Sequence, residues 1–358
     1  MKLTAQVTLF SRVSFVEKLL FTKHLSVMIK SGVPLLEALV ILKDQTKTAA
    51  FRKVLTKITD DVTNGQDLTK TLAKHPKVFD PFFLSLIEIG ESSGSLEENL
   101  NFLAIQLKKE RALTKKVQGA FFYPMMVLLA ATVMGGFIAL YLLPQLLVFF
   151  EAFEIELPIT TKILLALAIF MKNYGVFAFV ALFLLLFLIS FILKIPSIKK
   201  TWHQLVLKIP LFGGLFKAVQ LTRFSRNLSI LLKGGVPLDQ ALKTTANTLA
   251  NVWYKEKAIK VLKGVTKGSS MADVLDKMKD DAFPGLVIKM IAVGEKSGNL
   301  EETLTYLGDF YEDEIDTVTK NITVVLEPIL LLGAGLAVGF LALAVISPIY
   351  ELTGSFRR

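Results

Sequence analysis

The chain has 358 residues, 53% of them hydrophobic, and its mean hydropathy of +0.54 is too high for an ordinary soluble protein. It contains no cysteine, which excludes disulfides, thiolate metal sites and cysteine nucleophiles, and its three histidines lie far apart without metal-binding spacing. The net charge of +10 could suit nucleic acid, but the cations are dispersed along predicted helices and crowd beside apolar stretches. That distribution favours anionic lipid headgroups instead.

The sequence predicts a first helical domain over residues 14–120. Their apolar residues recur at three- and four-residue spacing, and no stretch alternates long enough to form a strand. Arg12, Glu17 and Lys18 interrupt the first apolar stretch, so no cleavable signal peptide is expected and the domain should lie in the cytoplasm.

The sequence KSGVPL marks a helix end followed by a helix start. Gly32 suits the position just after a helix, where φ is positive. Pro34 suits the first turn of the next helix, because its ring holds φ near the helical value.

The segment GESSGSLEE predicts a corner between two helices. Gly90 and Gly94 should interrupt one helix, and Glu98, three residues after a serine, should close a capping box that starts the next. The pattern around Ser92 also fits the G-x-S-x-G motif of hydrolases, but that motif needs a preceding strand, and here the pattern is helical. Glu91 is expected to bond local backbone amides, with a basic residue of a partner as the alternative.

Three uncharged stretches are long enough to cross a bilayer, which takes about 20 apolar residues in a helix. In chain order the predicted segments are a first transmembrane helix, an extracytoplasmic connector, a second transmembrane helix, a third one and a short tail: residues 121–150, 151–172, 173–193, 324–350 and 351–358. Pro124 and Pro328 head the first and the third transmembrane helix.

Small residues lie on one face of two of these helices. Gly135 belongs to the first, and Gly335 with Gly339 forms GxxxG in the third. Such faces let helices pack closely. The sequence leaves open whether they pack within the chain or form a groove for another protein's transmembrane helix.

The charges predict the orientation in the membrane. Residues 1–122 contain 18 Lys and Arg against 12 Asp and Glu, and residues 194–322 contain 19 against 14, whereas three glutamates open the connector. Because cytoplasmic segments are enriched in Lys and Arg, both basic segments should face the cytoplasm. The N-terminus should then be cytoplasmic and the C-terminus extracytoplasmic, although two terminal arginines oppose that bias.

The second half of the chain repeats the first. FTKHLSVMIKSGVPLLEAL, beginning at Phe21, returns as FSRNLSILLKGGVPLDQAL at Phe224, and IGESSGSLEENLNFL returns as VGEKSGNLEETLTYL. We call residues 14–120 repeat one and residues 194–322, the second predicted helical domain, repeat two. The motif residues of repeat two are Gly235, Pro237, Gly294, Glu295, Gly298 and Glu302.

These patterns predict an all-α protein. We expect two homologous cytoplasmic bundles of about six helices each and three transmembrane helices. The second transmembrane helix, which has no counterpart in the repeat, would return the chain to the cytoplasmic face.

Two GVPL turns, each followed by G-E-x-S-G-x-L-E and then by a span headed by proline, resemble the type II secretion system F family. The resemblance covers residues 14–350. It implies a polytopic protein of the bacterial inner membrane, a platform for type IV pili, secretion pseudopili or competence pseudopili. It also implies partners: a hexameric traffic ATPase, pilin or pseudopilin, other inner-membrane assembly proteins, further copies of the chain and membrane lipids, with no direct contact to nucleic acid.

No cofactor or metal is expected from the resemblance. Some relatives bind calcium through acids on the helix after the glycine motif, but the matching positions here are Asn101, Ile105, Thr305 and Asp309, which mostly lack carboxylates.

The sequence therefore predicts a non-enzymatic platform that couples a cytoplasmic ATPase to the extraction of pilin from the bilayer. One alternative is a small transporter or channel, which would place charged residues inside the spans. Another is a membrane-bound hydrolase that uses Ser92.

Overall fold

The computed structural model describes residues 13–138, 141, 159–193 and 195–355, and no strand occurs among them. The predicted all-α class is confirmed for this part of the chain. Its helices are α1 (Phe15–Lys30), α2 (Leu35–Gln45), α3 (Ala49–Thr63), α4 (Leu68–Ala73), α5 (Pro81–Ser93), α6 (Leu96–Phe137), α7 (Ile159–Ile192), α8 (Pro196–Val206), α9 (Gly213–Lys233), α10 (Leu238–Thr248), α11 (Val252–Val265), α12 (Met271–Lys277), α13 (Gly285–Ser297) and α14 (Leu300–Ser355).

The helix order recurs at the spacing that separates the repeats in sequence. Helices α1–α6 correspond in order to α9–α14, so that α2 and α10 both begin directly after the proline of GVPL. The last helix of each set, α6 or α14, begins directly after the glutamate-containing corner and runs on into an apolar segment.

The described chain divides into two compact units. One contains the segment up to Lys115 together with Val206–Ile315, and the other contains Lys116–Leu205 together with the segment from Asp316. Most helices of both repeats thus belong to a single unit.

An aromatic cluster forms the core of each repeat. In repeat one the Phe21 ring lies 5.7 Å from that of Phe51 and 6.0 Å from that of Phe79. The corresponding rings of repeat two, Phe224, Tyr254 and Phe283, are also packed together, with centroids 5.0 and 5.8 Å apart. Each of these side chains is at most 3% exposed, so burial of their large apolar area stabilises both repeats in the same way.

The predicted helix end at Gly32 is confirmed. Gly32 has φ of 81°, its N–H donates to the Ile29 carbonyl at 3.0 Å, and the Val33 N–H donates to the Met28 carbonyl at 3.0 Å. This is the Schellman arrangement, which satisfies the last carbonyls of a helix. Pro34 is the cap residue before α2 rather than part of its first turn.

Repeat two ends α9 in the same way. Gly235 has φ of 86°, and the Val236 N–H donates to the Leu231 carbonyl at 2.9 Å. Pro237 is the cap residue before α10.

Among the described residues, two helical segments are long and apolar enough to cross a membrane, Leu96–Phe137 and Leu300–Phe340. Pro124 and Pro328 were predicted to head the first and the third span. They do not start helices, because α6 and α14 continue through them without a break. Helix α7 begins inside the predicted connector, at Ile159.

Parts of the predicted segments lie outside the described residues. These parts are residues 139, 140 and 142–150 of the first span, 151–158 of the connector, 194 at the start of repeat two and 356–358 of the tail. The three-span topology therefore remains a prediction.

Candidate functional site

In repeat one, a glutamate of one helix caps the start of another. The Glu91 carboxylate on α5 accepts hydrogen bonds from the backbone N–H groups of Leu68 and Thr69, at 2.6 and 3.0 Å, and from the Thr69 hydroxyl at 2.8 Å. Those N–H groups lie in the first turn of α4, where no helical carbonyl is available to accept from them. The negative charge also lies favourably at the positive end of the helix dipole.

Repeat two contains the same corner. The Glu295 carboxylate on α13 accepts from the N–H groups of Met271 and Ala272 at the start of α12, again at 2.6 and 3.0 Å. Both carboxylates are half-buried and occupied by backbone donors. The arrangement holds α4 to α5 and α12 to α13, so the two glutamates have a structural role.

The glycines beside these glutamates have two different roles. Gly94 and Gly298 end α5 and α13, each with φ of 73°, as predicted for helix ends. Gly90 was expected to interrupt a helix, and this expectation is wrong, because Gly90 and its counterpart Gly294 lie inside α5 and α13. A Cβ atom on Gly90 would lie 3.0 Å from the Cα atom of Leu96, so the bare glycine lets α5 pack against the start of α6.

The residues predicted to form capping boxes make other contacts. Ser95, the serine predicted to pair with Glu98, accepts from the side-chain amide of Asn99 at 3.0 Å, and the side-chain amide of Asn299, the counterpart of Ser95, donates to the Glu302 carboxylate. Glu98 is exposed to solvent.

The geometry around Ser92 does not resemble a hydrolase site. Its hydroxyl donates to the Ile89 carbonyl of the same helix at 3.1 Å, and the helix α5 precedes it where a hydrolase has a strand.

The two repeats contact each other through polar side chains of α6 and α9. The Gln106 side-chain amide donates to the Asn227 side-chain carbonyl at 2.6 Å, and the Arg223 guanidinium donates to the Glu110 carboxylate. Both Gln106 and Asn227 are buried, so a hydrogen bond between them offsets the cost of removing them from water.

The contact between the repeats also includes α5 and α10. The Ser85 and Thr244 hydroxyls are 3.3 Å apart, and a Cβ atom on Gly235 would lie 3.6 Å from Ile89 Cγ2. The Lys233 ammonium lies 5.4 Å from the centre of the Phe102 ring, within range of a cation–π interaction.

These contacts between the repeats were not predicted from the sequence, although the sequence contains a signal for them. The residues that carry them differ in character between the repeats: Gln106 corresponds to Phe310, Asn227 to His24 and Arg223 to Leu20. Positions where two copies diverge can mark a surface that is used differently in each copy.

The small residues of the apolar helices face open space in the structure. A Cβ atom built on Gly135, Gly335 or Gly339 would meet no atom of another element within 4 Å among the described residues. Most large apolar side chains of these helices are exposed, as expected for surfaces that contact lipid.

A sequence model of the family described as Type II secretion system (T2SS), protein F matches this chain twice, at residues 21–144 and 224–348. Together the two matches cover more than half of the chain. The chain belongs to the T2SS protein F family. This membership does not favour the alternative of a small transporter or channel.

Several relatives are similar over nearly the whole chain. The Type IV pilus assembly protein PilC of Pseudomonas aeruginosa is 30% identical over 93% of this chain and 89% of its own length. The protein of the same name from Myxococcus xanthus is 33% identical over 95% and 81%. The Type II secretion system protein F of Vibrio cholerae is 29% identical over 95% and 83%.

Each match to the T2SS protein F model begins at the first core aromatic of its repeat, Phe21 or Phe224, and extends into an apolar segment. The matched unit thus includes the glutamate corner and the helix that follows it.

Proposed function

We propose that this chain is a non-enzymatic platform protein of the bacterial inner membrane that helps to assemble type IV pilus-like filaments. The observation that carries the proposal is the double family match, together with relatives whose names refer to type IV pilus assembly and type II secretion. The geometry agrees with a mechanical role, because the glutamates of the motifs join helices and Ser92 bonds its own helix.

The proposed topology has three transmembrane helices with both repeats in the cytoplasm. The excess of Lys and Arg in both repeats and the acidic connector support this orientation. Helix α7 supplies the returning span, since its residues 173–193 carry no charge.

Motion of the repeats would reach the membrane along two helices. Helix α6 continues from Leu96 to Phe137 and α14 from Leu300 to Ser355, so each begins beside a glutamate corner and includes an apolar segment. A helix transmits rotation and displacement along its axis as long as its backbone hydrogen bonds are intact.

Ion pairs join these two helices. Lys109 lies 2.8 Å from Asp309 in one compact unit, and Lys116 lies 2.9 Å from Asp316 in the other. The paired charges favour movement of α6 together with α14.

The partners follow from this mechanism. A hexameric traffic ATPase would dock on the cytoplasmic repeats and supply the force, because no nucleotide motif occurs in the sequence. A pilin or pseudopilin helix would contact the apolar segments, where the exposed faces of Gly135, Gly335 and Gly339 allow close approach.

Deletion of the gene tests the proposal. We expect loss of surface filaments, of the corresponding secreted protein or of DNA uptake, with recovery when the intact gene is returned. A Ser92→Ala variant should restore function as well as the intact protein. Normal filaments, secretion and DNA uptake in the deletion strain would contradict the proposal.

A helix-breaking variant tests the mechanical step separately. Gly119 lies within α6 with open space around it, and Gly119→Pro removes a backbone donor and costs about 3 kcal/mol in a helix interior. We expect the variant protein to reach the membrane but to assemble no filaments. Gly119→Ala, which keeps the helix, should behave as the intact protein.

A further inference from the structure

Each repeat has two faces, of which the internal contact uses one. The forward face is formed by α5 and α6 in repeat one and by α13 and α14 in repeat two. The rear face is formed by α1 and α2 in repeat one and by α9 and α10 in repeat two. Within the chain, the forward face of repeat one packs against the rear face of repeat two, and no other described residue covers the remaining face of each kind.

The uncovered forward face of repeat two is apolar. Phe82 in repeat one is 7% exposed, whereas its counterpart Leu286 is 43% exposed. Gln106 is 6% exposed, and its counterpart Phe310 is 37% exposed. Val293 is also exposed. Large apolar side chains at these positions lie in solvent, although their counterparts are covered.

The uncovered rear face of repeat one shows the complementary pattern. Arg223 and Ile230 of repeat two are half-buried, whereas their counterparts Leu20 and Val27 are 45% and 54% exposed. Apolar area on both uncovered faces favours association over exposure to water.

We propose that the forward face of repeat two docks on the rear face of repeat one in a second copy of this chain, in the arrangement that joins the repeats within one chain. The contact between the two repeats within one chain is the template for this arrangement. There, a forward face and a rear face built from corresponding helices already pack together. The expected partner is a second copy of the chain, because the sequence repeat gives every copy both kinds of face.

The template places an aromatic ring of one chain over a lysine of the next. Lys233 lies over the Phe102 ring while it faces Glu301 at 3.9 Å. Its counterpart Lys30 faces Glu97 at 3.7 Å in the same way, but lacks an aromatic partner from a second repeat among the described contacts. In the docked pair the exposed Tyr306 ring, the counterpart of Phe102, would cover Lys30 of the second chain.

A second contact follows from the glycine turn. Ile89 packs against Gly235, whereas no atom in the described part of the chain lies within 4 Å of a Cβ atom built on Gly32. Val293, the counterpart of Ile89, would fill that space in the second chain.

The chemistry of the outer contact differs from that of the inner one. Inside the chain, Gln106 bonds Asn227. Between chains the corresponding residues would be Phe310 and His24, so an apolar contact replaces a hydrogen bond. Because the two docking faces are different, the contact is heterologous and joins chains head to tail into a ring or a row.

This inference goes beyond the proposed function, since it concerns how copies of the chain, which the family resemblance implies as partners, contact each other. Its test reads association between chains directly, so its failure would leave the platform role to the filament assays described above.

Cysteine cross-linking in the full-length protein in membranes tests the inference, because the native chain has no cysteine. The hydroxyls of Ser85 and Thr244 are 3.3 Å apart, and their counterparts on the uncovered faces are Lys289 and Ile41. Two differently tagged chains, one with Lys289→Cys and the other with Ile41→Cys, are produced together and oxidised. We expect a disulfide-linked dimer that carries both tags, and no dimer from either variant alone.

The matched control is Ser85→Cys with Thr244→Cys in one chain, which should form a link inside the chain without a change in chain number. A control link without a mixed dimer would overturn the inference and indicate that another protein covers these faces. A dimer from either single variant alone would also overturn it, because it requires a face that contacts itself.

A charge on the proposed interface provides a second readout. Val293→Asp should cause loss of co-purification between two tagged chains, whereas Ile105→Asp, at a 46% exposed position on another face of α6, should not. In this test both tagged chains carry the same substitution, because a Val293→Asp chain could still offer its intact rear face to an unaltered chain. Equal co-purification in the Val293→Asp pair and the Ile105→Asp pair would contradict the inference.

Discussion

Glu91 and Glu295 occupy the same place in the two repeats, and each accepts two backbone N–H groups at 2.6 and 3.0 Å from the start of a short helix. The repetition of both distances shows that the glutamate is part of the fold of each repeat. Its charge and length are needed because a shorter side chain could not reach two adjacent N–H groups of another helix.

Removal of this carboxylate should loosen α4 or α12. We expect Glu91→Ala to lower the free energy of unfolding by about 1–2 kcal/mol, since it leaves two half-buried donors without an acceptor. Thermal unfolding of the detergent-solubilised protein measures the loss, and hydrogen exchange at Leu68 and Thr69 locates it. Glu88→Ala, an exposed glutamate of the same helix, is the control, and an equal effect of both variants would contradict this role.

The bare surface of Gly90 should matter for packing. Gly90→Ala would place a Cβ atom 3.0 Å from the Leu96 Cα atom and 3.1 Å from the Asn99 Cβ atom, so α5 and α6 would have to move apart. We expect a lower thermal midpoint for this variant. Gly119→Ala, in a helix with open space, should leave the midpoint unchanged or raise it slightly. A stabilising effect of Gly90→Ala would show that the corner is looser than described.

The ion pair between the repeats should respond to exchange of its charges. Glu110→Arg places two guanidinium groups together at side chains that are about 25% exposed, and we expect a loss of about 1–3 kcal/mol. The double variant Glu110→Arg with Arg223→Glu should recover most of it. Thermal unfolding of the two single variants and the double variant measures this coupling. Glu98→Arg, an exposed change on the same helix, serves as control, and additive effects of the two single changes would contradict a direct contact.

Tyr254 should make stability depend on alkaline pH. Burial raises the pKa of its hydroxyl, and the neighbouring Tyr311 and Asp280 raise this pKa further. The hydroxyl donates to the Ala282 carbonyl at 2.9 Å. The unfolded chain loses this proton near pH 10 while the folded protein retains it, so stability should fall as the pH rises above that value.

The measurement compares thermal midpoints between pH 9 and pH 11. Tyr254→Phe should lower the free energy of unfolding by about 1 kcal/mol at neutral pH, because the hydrogen bond is removed. As the pH rises, the stability of this variant should fall less than that of the intact protein. The counterpart in repeat one is already a phenylalanine, Phe51, so the ring alone fits such a core. Equal alkaline loss in both proteins would show that other groups carry the effect.

Local features of the fold could be predicted from the sequence. The helix ends at Gly32 and Gly235 depend on positive φ and on hydrogen bonds within a few residues, so the letters of GVPL were sufficient. The all-α class followed from apolar spacing, and the pairwise order of the helices followed from the repeat itself.

Features that depend on distant partners could not be predicted. Gly90 and Gly94 look alike in sequence, but only Gly94 ends a helix, because Gly90 is required where α6 packs against it. The acceptor role of Glu91 was expected, but its donors lie on another helix, at Leu68 and Thr69, and no local spacing identifies them.

Labelling of single cysteines in intact cells tests the proposed topology, in which both repeats lie on the cytoplasmic side of one membrane. Asp60→Cys and Lys260→Cys place thiols at exposed positions of the two repeats in a chain that has no other cysteine. We expect a membrane-impermeant maleimide to label neither in intact cells and both after permeabilisation, whereas Glu154→Cys in the connector should be labelled in intact cells. Labelling of Asp60→Cys and Lys260→Cys from opposite sides of the membrane would show that the repeats do not share one side, and the proposed topology would be wrong.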